Sequence, residues 1–145
     1  MRTYQTSATA VAAMAIVIGL TACTSAPDKP ATLTALPECG WLPNCVNTGS
    51  ANTAVQPLAA SLEQWRALKL WLAQQPDWTI IVADGDFLQL TTTTPTLGFT
   101  DDVQLLFIPS QQLIQVRSSS RLGISDMGTN ARRVETLRKQ LRDLP

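Results

Sequence analysis

The sequence predicts an α+β domain, a two-layer sandwich in which two helices pack on one face of a four-stranded antiparallel sheet. Two segments with helical periodicity flank four strand-like segments, which gives the order α-β-β-β-β-α. The connections between successive strands are short, and short connections favour antiparallel pairing. With 45% hydrophobic and 15% charged residues among 145, the composition is typical of a chain with one globular domain.

The first 22 residues are predicted to be a signal peptide rather than part of the fold. Arg2 precedes the apolar run Ala8–Leu20, which is shorter than the roughly 20 residues of a membrane-spanning helix. The sequence Leu-Thr-Ala-Cys that ends at Cys23 resembles the lipobox of bacterial lipoproteins. We therefore predict lipidation of Cys23 and attachment to the membrane through that lipid; an ordinary signal peptide with an incidental cysteine is the alternative.

Residues 23–37 are predicted to be the lipidated Cys and a flexible tether, and residues 38–145 the globular domain. The tether is rich in Ala, Thr and Pro, a composition that does not build a core. Thr24 follows the Cys, and by resemblance to the sorting rule of Gram-negative lipoproteins this favours the outer membrane. The expected location is the cell envelope, with the domain facing the periplasm.

The other two cysteines, Cys39 and Cys45, are expected to form a disulfide because exported proteins fold under oxidising conditions. A metal site is the disfavoured alternative, since the sequence offers no histidine and no second cysteine pair. We expect no cofactor. Trp41, inside the cysteine loop, is expected to pack on the domain, and residues 46–60 to form an ordered but irregular segment.

The first helix is predicted over residues 62–75. Ser61 and Gln64 match a capping box, apolar residues follow at helical spacing, and Pro76 stops the helix. The last helix is predicted from Asn130 to Asp143, with one apolar face formed by Val134, Leu137, Leu141 and Leu144.

Four strands are predicted between the helices, over residues 78–83, 87–93, 102–108 and 113–119. Asp84-Gly85 is a hairpin signal between the first two, and Pro109–Gln112 a turn between the last two. Alternation along the strands assigns one set of residues to the face that meets the helices: Leu88, Leu90, Val103, Leu105, Phe107, Ile114 and Val116. The opposite face mixes polar and apolar residues, and we expect the segment Cys39–Ala60 to cover part of it.

The formal net charge is zero, which argues against nucleic acid as a partner. The charge is nevertheless uneven: residues 117–145 carry seven basic and three acidic side chains, and residues 24–116 carry three basic and eight acidic ones. Opposite charges in the two parts favour pairing within the domain.

The junction between the last strand and the last helix concentrates the side chains that carry chemistry. Two interpretations remain open. The arginines and acids form a structural ion network with Asn130 as the helix cap, or the arginines, hydroxyls and helix N–H groups bind a small anion. The candidate residues are Asp101, Asp102, Arg117, Ser119, Arg121, Asp126, Asn130 and Arg132.

A small enzyme is a further alternative. Adjacent residues on a strand point to opposite faces, so Asp101 and Asp102 do not form a catalytic pair. Asp101 or Asp126 would have to act as the acid or base, because there is no histidine to activate a serine. No catalytic residue is therefore assigned.

Several ordered motifs resemble the domain-of-unknown-function 1499 family. They are Pro43–Val46 with the preceding Cys39, Gly98–Val103, Val116–Gly123 and Ser125–Arg133. Ala131 departs from the basic residue usual after the Asn in that family, and Arg132 stands next to it. The resemblance implies a bacterial envelope protein, often a lipoprotein, and implies no reaction. The sequence thus favours a lipid-anchored binding or structural module whose partner is an envelope protein or a small anion.

Overall fold

The computed structural model describes residues 34–94 and 98–145. The predicted signal peptide, Cys23, most of the tether and Pro95 lie outside the described residues. The described chain is α+β with two helices, as predicted. In order, its elements are β1 (Cys45–Asn47), β2 (Leu58–Ala59), α1 (Leu62–Leu72), β3 (Trp78–Asp84), β4 (Phe87–Thr93), β5 (Thr100–Ile108), a 3-10 turn (Pro109–Gln111), β6 (Leu113–Ser120) and α2 (Thr129–Asp143).

The sheet has six strands rather than the predicted four, and all its pairings are antiparallel. The spatial order is β1-β6-β5-β4-β3, and β2 also pairs with β6. The long strands β3 to β6 form the predicted meander. The two added strands lie in the segment that was expected to be irregular. They contain three and two residues, too few for an alternating pattern to reveal them, and their partner strand is distant in sequence.

Helix α1 begins at the predicted capping box and ends three residues before the predicted end. The Ser61 hydroxyl accepts a hydrogen bond from the Gln64 amide at 3.1 Å, and the Gln64 side chain accepts one from the Ser61 amide at 3.1 Å. Both bonds satisfy amides that the first turn leaves without helical partners. Ala73 is the C-terminal cap.

Both helices pack on the predicted face of the sheet. The core combines Trp65, Leu68 and Leu72 of α1 with Val134, Leu137 and Leu141 of α2. All seven strand residues that alternation assigned to this face belong to the same buried cluster. The period of two along the strands therefore placed this layer of the core correctly.

The opposite face of the sheet is partly covered from the N-terminal side. Leu36, which the sequence assigns to the tether, is 5% exposed and packs with Phe87 and Leu106. The Pro37 carbonyl accepts a hydrogen bond from the Asn47 side chain at 2.9 Å. The chain therefore crosses this face from the Asp84-Gly85 end of the sheet, near Thr34, towards β1.

The cysteine loop confirms one expectation and overturns another. Cys39 and Cys45 form the predicted disulfide, with Cα atoms 5.7 Å apart. Trp41 does not pack on the domain: it is 91% exposed. Its neighbour Leu42, at the centre of the loop, is half-buried instead. Among the described residues, no helix is long and apolar enough to cross a membrane.

Candidate functional site

The loop between β6 and α2 bends sharply and directs the start of the last helix. Gly123, Met127 and Gly128 have φ angles of 96°, 50° and 79°, the left-handed region that only Gly adopts freely. Asp126 closes the bend. Its carboxylate accepts hydrogen bonds from the amides of Gly128 and Asn130, both at 2.9 Å, and its carbonyl accepts one from the Thr129 amide at 3.0 Å.

The sequence suggested Asn130 as the cap of the last helix, and this is wrong. Asn130 lies inside α2 and is completely buried. Its side-chain oxygen accepts hydrogen bonds from the Ser118 hydroxyl and the Arg133 guanidinium, both at 2.6 Å. Its side-chain amide donates to the Asn44 carbonyl at 2.9 Å and to the Ser120 hydroxyl at 3.3 Å. Asn130 thus joins α2, β6 and the loop before β1.

Asp101 and Arg133 form a buried ion pair on the helix side of the sheet. Their side chains are 1% and 9% exposed, and Nη2 of Arg133 lies 2.5 Å from Oδ2 of Asp101. Arg133 also donates to Ser118 at 2.8 Å. This arginine connects the ion pair to the hydrogen bonds of Asn130. The other oxygen of Asp101 is buried without a hydrogen-bond partner.

Asp102 points to the opposite face, as strand alternation predicts, and pairs with Arg121. The guanidinium donates through Nε and Nη2 to the two carboxylate oxygens, both at 2.9 Å. This bidentate pair raises the pKa of Arg121 further above its usual value. Ser119 is the register partner of Asp102, and it accepts a hydrogen bond from Arg117, so these residues lie together on this face.

Arg117 is only partly compensated. It donates to the Ser119 hydroxyl at 3.0 Å, while its Nε is buried without a partner. Burial lowers the pKa of Arg117, and the nearby charge of Asp102 opposes that shift. The two arginines of this face therefore share one carboxylate, and neither stands in an open anion pocket free of acid.

Arg132 differs from the other arginines of the junction because it is exposed and bonded only locally. It donates to the Met127 carbonyl and to the Thr129 hydroxyl, both at 2.9 Å. These bonds brace the left-handed turn. The three acids and four arginines of the junction therefore form two ion pairs, a helix-capping Asp126, a solvent-facing Arg132 and an Arg117 that donates to Ser119.

Several members of the network, including Arg133, Ser118 and Asn44, were not among the candidate residues singled out from the sequence. Ser118 is completely buried and faces the helices with Val116. As a polar residue at a core position in the alternation, it carried the signal that a buried partner had to exist. Asn44 donates to the Gly123 carbonyl at 3.0 Å, and no local pattern around Asn44 pointed to that loop.

A cavity of about 490 Å³ opens at this junction. Its polar lining comes from residues of the network and its neighbours, including Asp101, Ser120, Asp126, Thr129 and Arg132. Its apolar lining comes from Phe99, Leu122 and Met127. Three of the segments that carry the family resemblance therefore meet around one cavity.

The apolar lining continues outwards as an exposed surface, which we call the apolar rim. It consists of Trp41, Phe99, Leu122, Ile124 and Met127, which are 91%, 41%, 47%, 75% and 87% exposed. Trp41 is included because its loop contacts the same bend: the carbonyl of Pro43, two residues after Trp41, accepts a hydrogen bond from the Asp126 amide at 3.3 Å. Such a cluster of exposed apolar side chains is typical of a binding surface.

The cavity brings Asp101 and Asp126 to one site, the arrangement that the enzyme alternative needs. Both carboxylates are already engaged, Asp101 by Arg133 and Asp126 by the first amides of α2. Across residues 34–94 and 98–145, no group of three or more Cys, Asp or Glu side chains is arranged to hold a metal ion.

Comparison with known proteins places this domain in a family. Neither a curated protein nor a solved structure matches the chain significantly. The family model described as protein of unknown function, DUF1499, matches residues 35–141. That range contains the cysteine loop, helix α1, every strand of the sheet and all but the last two residues of helix α2. The chain belongs to the DUF1499 family.

Proposed function

We propose that the protein is a lipid-anchored binding module of the bacterial cell envelope, and that it takes an apolar segment of an envelope component into the junction cavity. The observation that carries this proposal is the apolar rim, which surrounds a cavity whose carboxylates are held by internal partners. A binding surface of this kind has its recognition chemistry in the exposed apolar side chains, and the ion network serves to hold them in place.

The size and lining of the cavity support a binding role. Ligand sites in proteins are concave, measure roughly 300–1,000 Å³ and are mostly apolar with a few fixed polar groups. The junction cavity has about 490 Å³ and is lined by both apolar and polar side chains. The hydrogen bonds of Asn130 and Arg133 hold the surrounding junction before any ligand arrives, which lowers the entropy cost of binding.

The binding proposal is tested with anilinonaphthalene sulfonate, whose fluorescence rises in apolar sites. We expect the probe to bind the wild-type protein, and Met127→Asn to weaken binding about tenfold, since a buried Met side chain contributes roughly 1.5–3 kcal/mol. Asn is chosen because it tolerates the left-handed backbone of Met127.

The matched control for Met127→Asn is Leu70→Asn. Leu70 is 67% exposed on helix α1, away from the cavity lining. Its replacement removes a comparable exposed apolar side chain, and we expect probe affinity to stay unchanged. Equal affinity of the wild-type protein and Met127→Asn would refute the cavity as the binding site.

The anchor is tested by Cys23→Ala. Lipid chains on Cys23 hold the protein in the membrane fraction, because each buried CH₂ contributes about 0.8 kcal/mol. We expect the variant to move into the soluble periplasmic fraction while the wild-type protein sediments with the outer membrane. Continued sedimentation of the variant with membranes would contradict lipid attachment at this residue.

The two other functions considered from the sequence have weaker support. The free amides at the start of α2, which a small anion would use, are occupied by the Asp126 carboxylate. An enzyme that uses Asp101 or Asp126 remains a candidate because both line the same cavity. We prefer the binding role since each carboxylate would first have to give up its present partners.

A further inference from the structure

The apolar rim extends well beyond the mouth of the cavity. A small soluble ligand would be covered by the side chains that line the cavity, among them Leu122 and Met127. Trp41 and Ile124 are outside that lining, yet they are 91% and 75% exposed. The rim therefore fits an apolar phase larger than one small molecule.

The backbone holds this surface outwards against its own preference. Met127 has a φ angle of 50° and is 87% exposed. A non-Gly residue in the left-handed region costs of order 1–3 kcal/mol, and such strain clusters at functional sites. Hydrogen bonds from Arg132 to the Met127 carbonyl and from Asn44 to the Gly123 carbonyl keep the loop in this form.

The charge around the rim is favourable for an anionic surface. Arg132 lines the cavity and is exposed. Its guanidinium makes two local hydrogen bonds, and its remaining N–H groups face solvent. The acids closest to it in the cavity, Asp101 and Asp126, are engaged by Arg133 and by helix amides. A phosphate group beside Arg132 would meet a cation whose cavity neighbours, Asp101 and Asp126, already have internal partners.

The length of the tether permits contact with the membrane that holds the proposed anchor. Thr34 lies near the Asp84-Gly85 turn, at the end of the sheet opposite to the rim. The eleven residue steps from Cys23 to Thr34 reach at most about 36–40 Å. Strand β5, which runs between the two ends, has nine residues and is about 30 Å long. The reach exceeds the length of the domain.

From these observations we propose that the apolar rim enters the surface of a phospholipid bilayer with anionic headgroups, with an acyl chain in the cavity and Arg132 beside a headgroup phosphate. Trp and other large apolar side chains favour the membrane interface, where this mode of attachment operates. The inference rests on the proposed binding role of the cavity and names the class of ligand.

The experiment uses the full lipidated protein in phosphatidylglycerol vesicles whose acyl chains carry bromine, which quenches tryptophan fluorescence on contact. We expect quenching in the wild-type protein that falls strongly in Trp41→Phe, because Trp65 is buried and Trp71 and Trp78 are partly buried against the core. Equal quenching of the two proteins would overturn the proposal. In phosphatidylcholine vesicles we expect weaker Trp41 quenching, since Arg132 then meets no net anionic headgroup; equal quenching in both lipids would overturn the role of Arg132.

Ile124→Ser tests the rim, and the same substitution at a second exposed isoleucine serves as its control. We expect insertion to weaken about tenfold, from the loss of an apolar side chain that contributes roughly 1.5–3 kcal/mol. Ile81→Ser is the control, because Ile81 is also exposed, at 48%, but lies on strand β3. Equal Trp41 quenching in the Ile124 and Ile81 variants would contradict insertion through the rim.

The two proposals fail in different ways. Probe binding that depends on Met127, together with no Trp41 quenching, would keep the cavity as a binding site and overturn the bilayer as its ligand. Trp41 quenching without probe binding would support the bilayer contact and overturn the cavity as a general apolar site.

Discussion

Asn130→Ala is expected to lower the free energy of unfolding by roughly 3 kcal/mol or more, since each buried polar group left without a partner costs about 1–3 kcal/mol. The variant removes the oxygen that accepts hydrogen bonds from both Ser118 and Arg133. Ser118 is completely buried, so water does not replace the lost bond without opening the core. Urea unfolding followed by circular dichroism measures the change.

The same variant is expected to weaken probe binding. Asn130 holds Asn44, and Asn44 in turn donates to the Gly123 carbonyl in the loop that carries the apolar rim. Loosening this chain of hydrogen bonds frees Leu122 and Met127 from their fixed positions. Asn52→Ala is the control, because Asn52 is exposed and lies in a turn away from the junction. A loss of stability no larger than that of the control would show that the network is not what holds the junction.

Local patterns predicted most of the fold. The period of two assigned all seven core residues of the sheet, and the capping box placed the start of α1. The short strands β1 and β2 were not predicted, because they form only through pairing with β6, which is more than 50 residues away in the chain. Trp41 was misjudged because an isolated apolar residue does not reveal whether it serves a core or a surface.

Within the candidate site, the sequence identified many of the participants but not how they pair. Asp101 and Asp102 were correctly expected on opposite faces, yet nothing local indicated that Arg133 and Arg121 would be their respective partners. The role of Asp126 did have a signal: an Asp two residues before a Gly favours a turn in which the carboxylate binds the following backbone amide. Pairing across the sheet depends on register and helix position, which the sequence leaves undetermined.

Asp101→Asn is expected to lower the free energy of unfolding by about 3–5 kcal/mol, the cost of leaving a buried charge without its partner. The substitution keeps the size of the side chain and removes only its charge. Arg133, whose side chain is 9% exposed, then carries an uncompensated charge beneath helix α2. Glu135→Gln is the control. It breaks an ion pair with Arg138 whose acid is 54% exposed, and such surface pairs contribute about 0–1 kcal/mol.

A second substitution separates the charge effect from a general loss of packing. Adding Arg133→Met to Asp101→Asn removes the stranded cation and fills its space with an apolar chain, so most of the lost stability is expected to return. Ser118 still donates to the Asn130 oxygen in that double variant, and the core of the network survives. A double variant at least as unstable as Asp101→Asn would mean that Arg133 supports the fold through its own hydrogen bonds rather than through the ion pair.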